Sequence, residues 1–385
     1  MEYKSPCFLM KIKSKLILKI LFSNLIRGKF LKIIRCNKEL QSKLDIDIGD
    51  YKDYSPIEIE LIPHKGIYGN FINILDNEDA KYYHIYFNED SEIKNKFFIS
   101  EDDNNITKIK IIIDKEIKSF YKLFDDVQCI KSVKFNQLYR RTITNMSYMF
   151  NDCTLLEEIN LDNFNTQNVF DMSYMFNNCN KLKKLNLDKF NTQNVTDMNH
   201  MFSDCWLLKE LNISNININN VTNMNHMFEE CYSLEELNLS NFNKNKVTDI
   251  SYMFMGCTYL KKLNILNFDT SNVINMTCLF DGCSSLKELN LEKVNTNNVI
   301  DMSHMFDKCN KLVKLNKLNI NNFRTNNVVN MSCMFRKCSA LKDINLDNFD
   351  INKISNMKVM FAECNDKLKF KIKEKYINFG DDCFN

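Results

Sequence analysis

Nine cysteines recur in register along this chain, at positions 153, 179, 205, 231, 257, 283, 309, 338 and 364. Six successive intervals are 26 residues, followed by one of 29 and one of 26. Thiols at one repeated position could pair as disulfides, or share a metal, if folding brings neighbours within about 6 Å. Nine is odd, so full pairing is impossible, and no Cys-x-x-Cys with zinc-ligand spacing accompanies them. The reading adopted is structural, because cysteine is a small, readily buried apolar residue. His200, His226 and His304 share a second column, filled elsewhere by Tyr148, Tyr174, Tyr252, Cys278 and Cys333. Adjacent imidazoles at 200 and 226 could ligate a metal. Because the column also takes tyrosine, half-buried packing is the reading adopted, and no metal or cofactor is expected. No glycine-rich phosphate loop, nucleophile elbow or supported paired-carboxylate motif appears, so no enzymatic activity is expected.

These residues must be positioned by whatever element recurs every 26 residues. Met172, Met175, Phe176 and Cys179 fall at i, i+3, i+4 and i+7, the spacing of one helix face. Thr196 and Asp197 suit an N-cap ahead of it, and Gly256 and Gly282 a left-handed C-cap. Leu182, Leu185 and Leu187 then alternate as a short strand. Proline is absent from the repeats and glycine rare, so Asn168 and Asn194 are expected to supply left-handed loop conformations. A degenerate first unit is read by aligning Val127 with Cys153, which puts Phe120, Leu123, Phe124, Ile130, Val133 and Phe135 on apolar columns. One unit cannot bury both its apolar faces, whereas stacked units share a continuous core. With strands about 4.8 Å apart, ten units make a rod on the order of 50 Å long. The three extra residues around Asn316–Asn319 read as a local bulge.

Asparagine recurs between the last two apolar strand positions, at 160, 186, 212, 238, 264, 290, 316 and 345, and stacked amides there can bond along a ladder. Residues flanking it share the outward face. The candidate partner-binding set is Glu158, Asn160, Asp162, Asp188, Glu210, Asn212, Glu236, Asn238, Glu288, Asn290, Glu292, Asp343 and Asp347, interrupted by Lys184, Lys262 and Lys314. Such an acidic face excludes nucleic acid there and favours a basic protein partner.

Hydrophobic content of 44% and charged content of 26% describe a folded chain. Charge is unevenly placed: residues 1–44 carry eleven Lys/Arg against two Asp/Glu, and the remainder 40 against 47. No secretion signal is visible, and the apolar run 16–26 is broken by Lys19 and Asn24, too short for a membrane span. Fifteen cysteines in 385 residues then fit a reduced, cytoplasmic protein, with the cell surface as the alternative.

FNTQNVTDMNHMFSDCWLLKELNI (190–213) and FDTSNVINMTCLFDGCSSLKELNL (268–291) resemble the BspA-type leucine-rich repeat, over about residues 119–376. The resemblance implies an α/β fold: a right-handed leucine-rich-repeat-type solenoid of about ten 26-residue coils, which binds other macromolecules without catalysis. Relatives at bacterial surfaces make an adhesin the alternative function. SKLILKILFSNL (14–25) and FLKIIRCNKELQSKL (30–44) read as two apolar-faced helices and resemble a degenerate F-box. That resemblance implies docking of a Skp-type adaptor of cullin–RING ubiquitin ligases through Leu16, Ile17, Ile20, Leu21, Leu25, Leu31 and Ile34. A helical cap, or a basic amphipathic membrane contact by residues 1–44, competes with it. IEIELI, YYHIYF and KIKIII within 51–118 read as strands. The expected layout is a basic helical hairpin at 1–50, a β-rich module at 51–118, the repeats at 119–376 and a tail at 377–385.

Overall fold

Parallel bridges run down the whole repeat region, from Ser119 through Asn145, Asp171, Asp197, Asn223, Asp249, Asn275, Asp301 and Asn330 to Asn356. Nine bridges join successive equivalents, so ten chain segments lie side by side, one repeat deep. This computed structural model describes Ser14, Ile17, Leu18 and residues 37–46, 51, 55–88, 90–93, 95–138, 140–243, 246–312 and 320–385. The expected bulge at 316–319 and most of the expected hairpin at 1–50 lie outside those residues. Among the described residues, no helix is long and apolar enough to cross a membrane.

The expected helix of each repeat is absent, and the hydrogen bonds show why. In the third coil the amides of Met172, Tyr174, Phe176 and Asn178 donate to carbonyls of the next coil, at 2.8–3.1 Å. Those of Met175, Asn177 and Cys179 turn back to the third residue before them, at 3.2–3.3 Å. The segment is therefore a chain of tight turns whose alternate amides bond across the stack. Left-handed conformations make this possible, at Tyr174 (φ 57°) and Asn178 (φ 58°) and at equivalent sites in the other coils. For an L-residue each costs roughly 1–2 kcal/mol, offset here by the cross-coil bonds. Gly256 (φ 71°) and Gly282 (φ 75°) occupy that second site, as the sequence suggested. Asn168 and Asn194 do not adopt such conformations. Their side-chain amides instead donate to the carbonyls of Arg141 and Gln167 in the preceding coil, both at 2.8 Å. Asp171 opens its turn as an N-cap would, its Oδ1 accepting from the Ser173 amide at 3.0 Å and hydroxyl at 2.7 Å.

The apolar columns are buried as expected, although the element differs. Met172, Met175, Phe176 and Cys179 are all fully enclosed. Phenylalanines 124, 150, 176, 202, 228, 254, 280, 306, 335 and 361 stack ring on ring, centroids 5.3–5.8 Å apart. The nine thiols of the cysteine column are free. Each donates to a phenylalanine carbonyl of the preceding coil, as Cys179 Sγ does to Phe150 at 3.2 Å. Burial pushes the Cys205 thiol up to about 12, so the column is protonated and inert at neutral pH.

Both ends of the stack are closed. Strands β1 (Ile57–Pro63), β2 (Gly69–Asn70), β3 (Tyr83–Phe87), β4 (Glu92–Ile93), β5 (Phe98–Ile99) and β6 (Ile109–Ile113) precede the repeats. β7 (Ile130–Gln137) opens the first coil and β8 (Glu158–Asn160) the second. One six-stranded sheet runs β4-β3-β6-β1-β7-β8, antiparallel up to β7 and parallel between β7 and β8. β1 thus covers an edge that would otherwise be open to another chain. Arg140, 1% exposed, fastens the junction: its guanidinium donates to the carbonyls of Ser55 at 2.8 Å and Ile113 at 3.2 Å, and to that of Lys115. At the far end the amides of Val359 and Phe361 donate to Asp382 and Cys383, both at 2.7 Å, and Phe384 stacks on Phe361.

Candidate functional site

Short strands repeat along one face: β9 (Lys184–Asn186), β10 (Glu210–Asn212), β11 (Glu236–Asn238), β12 (Lys262–Asn264) and β13 (Glu288–Leu289). β9 pairs with β10, and β11–β13 form a second set, all parallel and in register, so that Glu236 lies beside Lys262 and Asn238 beside Asn264. The central leucine of each strand points inward: Leu185, Leu237, Leu263 and Leu289 are buried. Alternation then forces the flanking residues outward. Glu158, Asp162, Glu210, Asn212, Glu236, Asn238, Asn290, Glu292, Asp343 and Asp347 are exposed, while Asn160 and Asp188 are half-buried. Glu288 shares their register on β13.

Register makes this face less acidic than a count of residues suggests. Lys184 Nζ stands 2.6 Å from Glu210, and Lys262 Nζ donates to Glu236 at 2.5 Å, each pair spanning adjacent coils. The asparagine ladder bonds rung to rung at Asn212–Asn186 and Asn264–Asn238, both 3.0 Å. More regularly the asparagine oxygen ends its strand by accepting the amide two residues on. Asp188, Ser214, Ser240, Leu266 and Glu292 donate in this way at 3.0–3.2 Å.

The face is covered at one end by an element that sequence reading did not find. Helix α2 (Asp366–Lys375) is capped by Asn365 and buries Leu368 and Ile372. From it Lys371 reaches Asp343 at 3.0 Å and Lys375 reaches Asp347 at 2.7 Å. The Tyr376 hydroxyl donates to Asp347 at 2.8 Å and accepts from the Leu346 amide at 2.9 Å. The Lys375 and Tyr376 bonds hold the Asp347 carboxyl below its usual range. Asp343 and Asp347 therefore serve a cap within the chain. The available signals were Asn365 as a cap and the apolar pair Leu368 and Ile372 four residues apart, which lie within the expected repeat region 119–376.

In the head, α1 (Lys38–Leu44) is capped by Asn37, whose Oδ1 accepts from the Leu40 amide at 3.0 Å, and it buries Leu40 and Leu44. Of the candidate adaptor-docking residues, Ile17 is 50% exposed. Leu16, Ile20, Leu21, Leu25, Leu31 and Ile34 lie outside the described residues.

Along the turn edge runs a column of stacked side chains. Tyr148, Tyr174, His200, His226 and Tyr252 lie ring on ring with centroids 4.2–4.5 Å apart. Burial, and then the neighbouring His226, lowers His200 to about 4, so its imidazole is neutral at pH 7. His226 Nδ1 lies 2.7 Å from Glu229.

Three overlapping stretches, residues 118–234, 185–286 and 257–374, match the family model described as "Mycoplasma protein of unknown function, DUF285". No curated protein matches the chain. Among solved structures, a leucine-rich repeat protein from Bacteroides ovatus ATCC 8483 is similar at 16% identity and a TM-score of 0.27, over 67% of this chain and 80% of its own. A leucine rich cell surface protein from Faecalibacterium prausnitzii A2-165 is similar at 15% identity and a TM-score of 0.20, over 62% of this chain and 84% of its own.

Proposed function

We propose a function from the premise that this chain belongs to the family described as "Mycoplasma protein of unknown function, DUF285", whose model spans residues 118–374 of 385. The chain is a non-enzymatic protein-interaction scaffold, a right-handed leucine-rich-repeat-type solenoid that displays its strand face to a partner. The carrying observation is the contrast across each strand. Leu185, Leu237 and Leu263 are locked into the core, while the residues before them, Lys184, Glu236 and Lys262, vary in charge and stand in solvent. A rigid backbone presenting variable exposed groups at fixed spacing suits additive recognition of a large surface, with affinity set by a few central contacts.

The partner of best fit is a protein whose basic groups reach Glu158, Asp162 and Glu292 and exchange with the Lys184 and Lys262 pairs. Rim charges of this kind act mainly on association rate and salt dependence. The test is capture from cells of the source organism with the whole chain and with a Glu158→Lys/Asp162→Lys/Glu292→Lys variant. Loss of the captured protein at unchanged thermal stability is expected. Equal capture by both proteins would overturn the face assignment.

A narrower reading makes the head a docking site for a Skp-type adaptor, supported by the capped helix α1 with its buried Leu40 and Leu44. It requires an adaptor to co-purify with the whole chain and to be lost when residues 1–50 are removed. If no adaptor is found with either, the head is a cap or a membrane contact, and the scaffold reading stands by itself.

A further inference from the structure

Each coil places one residue of the turn-edge column and, three residues later, a second side chain beside it. In the coils of Tyr148, Tyr174 and Tyr252 the second residue is Asn151, Asn177 or Met255. In those of His226, Cys278 and His304 it is a carboxylate: Glu229, Asp281 or Asp307. Two groups of potential ligands result, His200–His226–Glu229 and Cys278–Asp281–His304, each with donor atoms within 4.8 Å of one another.

Their geometries differ. His200 and His226 stack plane on plane, 4.2 Å between centroids and 9° from parallel. Ring lone pairs lying in parallel planes do not converge on one point, so this pair suits packing. At the second group the imidazole of His304 follows a thiol in the column instead of a ring. His304 Nδ1 lies 3.1 Å from Asp307 Oδ2, and Asp307 is fully buried and also held by Arg336, whose Nε donates at 3.0 Å. In the neutral tautomer whose Nδ1–H donates to Asp307, Nε2 is the nitrogen left with a lone pair. Such a carboxylate behind an imidazole is the arrangement that orients metal-binding histidines. Lys308 Nζ, half exposed, lies 3.1 Å from Asp281. Two buried carboxylates, Asp281 and Asp307, thus share the site with a cation that reaches it from solvent.

We propose that Cys278, Asp281 and His304 form a site for Zn²⁺, with Asp307 positioning the imidazole and Lys308 occupying the cation's place when the metal is absent. Thiolate, imidazole and carboxylate together are the donor set of a borderline ion such as zinc. Bond lengths of about 2.0–2.3 Å call for ligand separations of roughly 3.5 Å, within reach of small side-chain rotations. Binding transfers the Cys278 thiol proton to solvent as the sulfur–metal bond forms, so affinity rises with pH. Three protein ligands leave one tetrahedral position to water.

The experiment uses the whole chain stripped with a chelator, titrated with Co²⁺ and then with competing Zn²⁺. One ion per chain is expected, with a thiolate-to-cobalt charge-transfer band that zinc removes. Cys278→Tyr and His304→Tyr install the residue the column already holds at Tyr252, so packing is kept. Each is expected to weaken binding at least about 100-fold. Should Cys278→Tyr fail to fold, Cys278→Ser must still lose the band. Asp307→Asn is expected to weaken binding about 10–100-fold. Lys308→Gln, which removes the competing cation, is expected to tighten it several-fold. A band that is absent from the wild-type chain, that survives Cys278→Tyr, or that disappears with His226→Tyr instead would overturn the assignment.

Discussion

The strand face and the turn edge run side by side along the same ten coils, yet they treat the repeat in opposite ways. On the turn edge the same residues recur and disappear from solvent, as in the fully buried set Met198, Met201, Phe202 and Cys205. On the strand face the inward apolar residue and the asparagine cap persist, while the outward positions flanking them vary, as at Lys184, Asp188, Glu210, Ser214, Glu236, Lys262 and Leu266. Translation by one coil therefore demands identity where side chains stack on their own copies. It leaves freedom where they meet water. Stability is concentrated on the first edge, and the proposed recognition of a partner on the second.

The comparison can be broken most forcefully by truncating one ring of the phenylalanine stack. Phe202 lies between Phe176 at 5.8 Å and Phe228 at 5.5 Å. Phe202→Ala is expected to cost about 3–5 kcal/mol in denaturant unfolding, through lost transfer energy and the cavity left behind. A second, smaller effect is expected in acid. Burial lowers His200 to about 4 in the folded chain, from an ordinary value of about 6.5. The unfolded chain therefore takes the proton first as pH falls. The stability this group contributes is complete above about 6.5 and is lost progressively toward about 4. His200→Tyr, the residue of neighbouring coils, should flatten that part of the stability–pH curve. Next, Asn194→Ala removes the side-chain bond to Gln167 and leaves its carbonyl without that donor. The bond is exposed, so a loss of about 0.5–1 kcal/mol is expected by thermal unfolding. Smallest is Lys262→Ala on the strand face. Its pair with Glu236 is 2.5 Å long but its side chain is 74% exposed, so stability should change by less than about 0.5 kcal/mol.

Much of this contrast was legible in the residues. Column periodicity located the core, and the position of Asn186, Asn212 and Asn238 between apolar residues placed them on the outward face. The element behind the column was not legible. Apolar residues at i, i+3, i+4 and i+7 line a helix, but consecutive turns that bond back three residues bury the same set, as Met172, Met175, Phe176 and Cys179 do. Left-handed sites were sought at Gly256 and Gly282, where they occur, and at Asn168 and Asn194, where they do not. The further one at Tyr174 was not read, because cross-coil hydrogen bonding outweighs local preference there. Charge was read as a total, yet Lys184 and Lys262 meet acids one coil away. Asp343 and Asp347 were assigned to a partner, and α2 occupies them through a tertiary contact that no local pattern encodes.

The central claim is that the strand face, and not the turn edge, meets the partner. The most direct measurement places a photo-crosslinking residue at Glu236 on the face, or at Tyr174 in the turn column, and irradiates the whole chain in its own cells. The account expects a defined adduct from position 236 that disappears when Glu158, Asp162 and Glu292 are reversed to lysine, and none from position 174. An adduct from position 174 with none from position 236 would contradict it.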